Sequence, residues 1–289
     1  MAEDESKRGK LETAAMAEVT EIEVAPNSIN AALIFHLVYD VLAFLLYMHQ
    51  QIPSTLLCSM LQDMTIQFDT LQTEYKESEI LLTQSQLDAS SRRKCIGRKR
   101  DVKLEIRRFE KLMNTVSGLQ TALLLFLREV PNVEDIIFVL GTSPRRPHHV
   151  YEFFFPHEMV ASLASEDMTR NRTVEVLSRK VIRALISKGV GSATYKGPSK
   201  LFLLVKAPTL FNMPLHFLPK RDFQYSKKIL PLRLQLRSKS SHQVMEASSC
   251  IPEAITDFSE KSHTCSHSTW FQCRHVIKGI ALANPSPED

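Results

Sequence analysis

The stretch SHTCSHSTWFQCRHVIKG, residues 262–279, decides how the chain is read. His263, Cys265, His267, Cys273 and His275 alternate with other residues, so an extended backbone turns each set toward one side, and imidazole and thiolate are the ligands tetrahedral zinc prefers. The second half, WFQCRHVIKG, is a run of aromatic and β-branched residues closing on Lys-Gly, which is the composition of a strand. The spacing matches no standard zinc module. A metal centre and the closing strand of a sheet are thus the alternatives at this end of the chain.

With 289 residues, 44% of them apolar, the chain is long enough to bury a sizeable core in one or two domains. A net charge of +4 singles out no class of partner. Five cysteines, scattered and without a CxxC pair, indicate neither a disulfide framework nor a zinc ribbon, and fit a reducing compartment. The N-terminal two dozen residues are charged, lack the apolar core of a secretory signal and read as a mobile tail, which leaves the sequon at Asn171 idle.

Working back from the closing stretch, KLFLLVKAP and ILPLRLQLR read as strands, the second with alternating leucines and with Pro231 placing it at an edge or at its own start. MPLHFLPKRDF, residues 213–223, reads as a proline-stiffened turn. TVEVLSRKVIRALISKG, residues 173–189, is a helix stopped by Gly189. EDIIFVLGTS and HHVYEFFFP form a hairpin around Gly141, Pro144 and Pro147. Before it, Leu104, Phe109, Leu112, Val116, Leu119, Leu123 and Phe126 recur at helical steps up to Pro131. Residues 56–86 are weakly helical and 82–91 read as a loop.

AALIFHLVYDVLAFLLYM, residues 31–48, is apolar on nearly all sides and close to membrane-spanning length. Its central Asp40 would cost about 2.5–3.5 kcal/mol on insertion, so the expectation is a buried core helix that ends near Pro53. Helix, helix, hairpin, helix and strands in this order describe an α+β fold, a mainly antiparallel sheet covered by helices.

No catalytic signature is present: the loop SKGVGSATYKG lacks phosphate-loop spacing, and there is no GxSxG, HExxH or kinase set. The expectation is that the chain is not an enzyme and needs no cofactor or metal. RRKCIGRKR, residues 92–100, reads either as an import signal or nucleic-acid patch, or as the solvated first turns of a helix. Together with residues 263–275 it supports the alternative of a zinc-dependent, basic nucleic-acid-binding protein.

WFQCRHVIKG also resembles the terminal signature of the comet family of HORMA-like adaptors, with Trp270, Phe271, Gln272, Lys278 and Gly279 in the pattern. Other motifs follow in the family's order: QQIP (Gln50 to Pro53), LGTSPRRPHHVYE with Leu140, Gly141, Pro147, Tyr151 and Glu152, SRKVIRALI, and FLPK (Phe217 to Lys220). The resemblance runs from about residue 28 to 280 and leaves 54–100 and 238–262 unmatched. It implies a tail at 1–27, one HORMA-like domain at 28–280 with loops near 82–100 and 238–262, and a tail at 281–289. It further implies a sheet backed by three helices, with a C-terminal segment that wraps back onto the sheet.

By the same resemblance, the expected partners are the closed conformer of the mitotic-arrest-deficient-two checkpoint protein and a hexameric Pch-two-type AAA+ ATPase that converts it to the open form, silencing the spindle assembly checkpoint. Pro219 and Lys220 match the ATPase-recruiting pair. Neither membrane nor nucleic acid is expected as a partner, and the expected location is nucleus and cytoplasm, at spindle or kinetochore in mitosis. A helical wheel independently puts Ile182 and Ile186 to one side of the core stripe, beside Arg179 and Arg183, which makes these four the expected contact with the closed protein. The family's anchor falls at Ile182, whereas Met48 departs from the family's pattern.

Overall fold

A computed structural model describes residues 19–24, 29–52, 60–83, 88–155, 170, 172–192, 197–238 and 268–280. It is an α+β structure: one eight-stranded, mostly antiparallel sheet with helices packed on one face. The strands are β1 (Val19–Val24), β2 (Asp135–Ser143), β3 (Arg146–Phe154), β4 (Lys200–Pro208), β5 (Phe217–Lys220), β6 (Leu232–Ser238), β7 (Ser268–Cys273) and β8 (Ile277–Lys278). Their order is β1-β6-β3-β2-β4-β7-β5, with β8 beside β4. The helices are α1 (Ala31–Met48), α2 (Met60–Thr83), α3 (Ala89–Glu129) and α4 (Arg172–Ser187).

Strand alternation sorts side chains to the two faces. Phe138, Leu140, Phe153, Leu203, Val205 and Leu234 are buried with the helices, while Ile137, Val139, Val150, Phe202 and Leu204 form a second cluster on the far face, under Phe223, Tyr225 and Trp270. Both faces are therefore covered, which explains why β2 and β4 read as continuous apolar runs rather than alternating ones. Pro231 stands immediately before β6, so its missing N–H removes no ladder bond from that central strand.

Three expectations are corrected. Residues 19–24, assigned to the tail, form β1, a parallel partner of β6 from Val19↔Arg233 to Val24↔Ser238; alternating burial of Ile22 and Val24 against exposed Glu21 and Glu23 drives it. The segment assigned to a loop at 82–100 is helical from Ala89 on, because Asp88 caps α3 by accepting from Ser90 N and Ser91 N at 3.0 and 3.3 Å. There are consequently four helices among the described residues: α2 runs antiparallel to the first half of α3, tied by Arg98–Glu74 and Lys99–Glu79 ion pairs. Pro53 and Asn171 lie outside the described residues.

α1 is the core helix. Asn30 caps it by accepting from Leu33 N at 2.8 Å. It ends ahead of Pro53, because Gln50 takes a left-handed conformation (φ 52°) and Gln51 N donates back to Leu46 O, the geometry of a Schellman stop. Although long and apolar enough to span a membrane, it is mostly buried between α3 and α4. Asp40, 1% exposed, receives two parallel bonds from Arg170 at 2.8 and 2.9 Å and a third from Ser178 Oγ at 2.6 Å. Burial, with the Asp40 charge beside it, pushes the Tyr39 phenol up to about 12. Removing one partner of such a pair leaves an uncompensated buried charge. Arg170→Ala is therefore expected to destabilise the chain by about 3–5 kcal/mol in urea unfolding, more than Ser178→Ala, which removes one hydrogen bond worth about 1.5–3 kcal/mol.

Candidate functional site

The closing segment is built into the sheet. β7 lies between β4 and β5, antiparallel to both, with Phe271 opposite Val205 on one side and Pro219 on the other. Phe271 and Cys273 point into the core, where Phe271 meets Phe211 at 4.9 Å between ring centroids, whereas Trp270 packs on the far face against Phe223. Past the bend at 274–276, β8 returns to β4, with Lys278 opposite Lys200.

Gln51 holds the end of this segment. Its side chain is 2% exposed; Oε1 accepts from Ser199 N at 2.6 Å, Nε2 donates to His49 O at 2.5 Å, and its own carbonyl accepts from Ile280 N at 2.9 Å. Gly279 passes directly over that amide: a Cβ at 279 would overlap Gln51 Oε1 and Cδ. Gln51, just past the end of α1, and Gly279 are thus two halves of one contact, although more than two hundred positions separate them.

A second convergence lies at the other edge. The β2–β3 turn (Ser143, Pro144, Arg145), the end of β5 (Pro219, Lys220) and Gln272 line one polar cleft of about 400 Å³. Pro219 and Lys220 are exposed. They sit on a short edge strand rather than in the expected turn, and among the described residues β5 is paired only with β7. An edge strand tolerates the proline because its outer side needs no donor. Gly141 permits the register shifts that shape the turn, since a Cβ there would meet Arg146 O at 2.8 Å.

On α4 the buried side chains run from Leu177 through Val181 and Leu185 to Ile182. Ile182 is only 9% exposed and belongs to the core, which corrects its expected place on the surface. The wheel put it to one side of the core stripe, but α4 packs on α1, which is apolar on nearly every side, and the buried arc of α4 is wider than that stripe. Ile186 is 52% exposed as expected, and Val176, at 58%, joins it. Arg179 and Arg183 are exposed between them, Arg179 reaching Glu175 at 3.8 Å. The α4 surface is therefore Val176, Arg179, Arg183 and Ile186.

No protein-family model and no curated protein matches this chain.

His263, Cys265 and His267 lie outside the described residues. Burial pushes the Cys273 thiol up to about 12, the reverse of what a thiolate ligand requires. His275 Nε2 lies 3.1 Å from His216 Nδ1, and among the described residues no three His, Cys, Asp or Glu side chains group as metal ligands would. The basic cluster at 92–100 is helical and in part ion-paired to α2. Sequence reasoning missed two polar centres. Gln51 is one. Glu152 is the other, 7% exposed, accepting from Tyr225 OH at 2.6 Å and Arg233 Nε at 2.7 Å; burial and this carboxylate together hold the Tyr225 phenol above its ordinary range.

Two measurements check this geometry. Gly279→Ala displaces the Gln51 amide from buried partners and is expected to lower stability by about 1–3 kcal/mol, the cost of an unsatisfied buried polar group, while Gln51→Ala in the same background adds little because the two changes break one contact. Ile182→Arg, which buries a charge, is expected to cost about 3 kcal/mol or more, whereas Ile186→Arg stays within about 0.5 kcal/mol in the same melts.

Proposed function

We propose that the chain is a HORMA-like adaptor of the comet type. It binds the closed conformer of the mitotic-arrest-deficient-two checkpoint protein and recruits a hexameric Pch-two-type AAA+ ATPase that opens it, silencing the spindle checkpoint. The observation that carries the reading is where the family-like motifs lie. Gln51 touches Gly279, and the hairpin, Pro219-Lys220 and Gln272 border one cleft. Short motifs matched by accident have no reason to meet in pairs across the fold. A C-terminal segment folded back between two strands of the sheet supports the same reading.

In this reading the chain performs no chemistry and uses no cofactor. Its α4 surface takes the closed protein, with Ile186 and Val176 as apolar centres and Arg179 and Arg183 as the charged rim, the usual arrangement of an interface core. Ile182 supports that surface from beneath. The Pro219-Lys220 cleft takes the ATPase: proline limits the entropy lost on docking, and Lys220, Arg145 and Arg221 offer positive charge to an acidic surface. α4 packs near β1 at one edge of the sheet, whereas the cleft belongs to β5 at the opposite edge, so the two partners do not compete for space. Such an adaptor acts in nucleus and cytoplasm, and at spindle or kinetochore in mitosis.

Purified components test it. Pull-down with the closed checkpoint protein should succeed where an open-locked variant fails, and Ile186→Arg should abolish it. Pro219→Ala with Lys220→Ala should leave both fold and capture intact yet stop ATPase-driven opening. Equal capture of open and closed forms, or an unaltered opening rate at limiting adaptor concentration, would reject the reading.

A further inference from the structure

Charge is unevenly distributed along the chain. Between Arg92 and Lys111 ten side chains are basic and three acidic, so this stretch carries +7 in a chain whose total is +4. Part of it faces α2, where Arg98 and Lys99 find carboxylates. Arg93, Arg100 and Arg107 recur every seven residues on the side away from α2, about 10.5 Å apart along the axis. All three are exposed, as are Ile96 and Leu104 among them, at 36% and 51%.

At its lower end this track runs into a groove of about 340 Å³ between α3 and the closing segment. Leu112, Val276 and Ile280 give it an apolar floor, and Arg108, Lys111 and Lys278 stand around it. The three cations are exposed, and among the described residues none of them is ion-paired. They come from two elements remote in sequence, α3 and β8, so their convergence owes nothing to a run of basic residues.

The floor and the cations make different demands. Cations alone suit any polyanion, but phosphates gain nothing from an apolar floor, and no lining residue is aromatic, so no stacking platform for bases exists. A floor alone suits any apolar side chain. Both are met by one kind of ligand, a peptide with an apolar anchor between carboxylates.

We propose that this groove docks an acidic peptide segment of a partner protein, seating one aliphatic or aromatic side chain against Leu112, Val276 and Ile280 while flanking carboxylates meet Arg108, Lys111 and Lys278. Arg107 and Arg100 extend the contact along α3. The site is separate from the α4 surface and from the Pro219-Lys220 cleft, and it stands whether or not the checkpoint reading holds. Because α3 forms one wall and the closing segment the other, a docked peptide bridges the two and stabilises the folded form in proportion to its concentration over Kd.

The test titrates the full chain with three labelled probes: the peptide EELFEE, its anchorless counterpart EEGGEE, and a short mixed-sequence DNA duplex, each followed by fluorescence anisotropy. EELFEE is expected to bind at least about tenfold more tightly than EEGGEE or the duplex and to raise the melting temperature. Lys111→Glu with Lys278→Glu should weaken it by about tenfold or more, at an unchanged melting temperature of the free chain, since both side chains are exposed. Equal binding of the two peptides, preference for the duplex, undiminished binding to the double variant, or no binding of EELFEE at millimolar concentration would each overturn the proposal.

Discussion

Gln51 and the closing segment depend on one another, and the rest of the sheet depends on both. The buried amide of Gln51 has its oxygen occupied by Ser199 N and its nitrogen by His49 O, and its backbone carbonyl receives Ile280 N. Three parts of the chain that share no local sequence meet there: the end of α1, the approach to β4 and the residues after β8. An amide taken out of water without those partners would cost on the order of 1–3 kcal/mol, so the arrangement is held together or lost as a unit. The left-handed turn at Gln50 aims the amide, and the bare backbone of Gly279 leaves room for it.

The other buried polar centres work by the same logic at other places. Asp40 ties α1 to α4 through Arg170 and Ser178, and Glu152 ties β3 to β6 and to the segment carrying Tyr225. Each carboxylate is satisfied by at least two donors from remote parts of the chain, and each therefore specifies which elements are neighbours. Apolar contact alone would be less selective, since α1 offers much the same aliphatic surface in most directions.

The α+β order, the hairpin and the core helix were legible in the sequence because their signals are local: period, turn residues, and an apolar run with one central acid. Where the reading failed, the deciding partner was elsewhere. β1 hides its alternation, Ile22 and Val24 between glutamates, in an acidic stretch that makes sense as a strand only beside β6. Asp88 and the serines after it look like a loop and are a cap. The wheel set Ile182 off the core stripe and so at the surface, yet it is buried, because a helix's own sequence does not say how wide an arc its neighbours cover. Nothing local marks Gln51 as buried, and its contact with Gly279 joins two motifs that the sequence presents as separate. The cleft could not be read at all, since its walls come from three separate stretches.

Among the described residues, β5 is hydrogen-bonded to the sheet only through β7. During synthesis the strand bearing Pro219 and Lys220 is made some fifty residues before β7, and α1, the most apolar of the described elements, is made earlier still. Contacts of such long separation close late and slowly. Until residues 268–280 leave the ribosome, part of the sheet edge is unpaired and the floor under Phe211 and Phe217 is open, which are the features that invite aggregation or capture by chaperones. A ribosome stalled before residue 268 would hold a chain with the four described helices and an unfinished sheet.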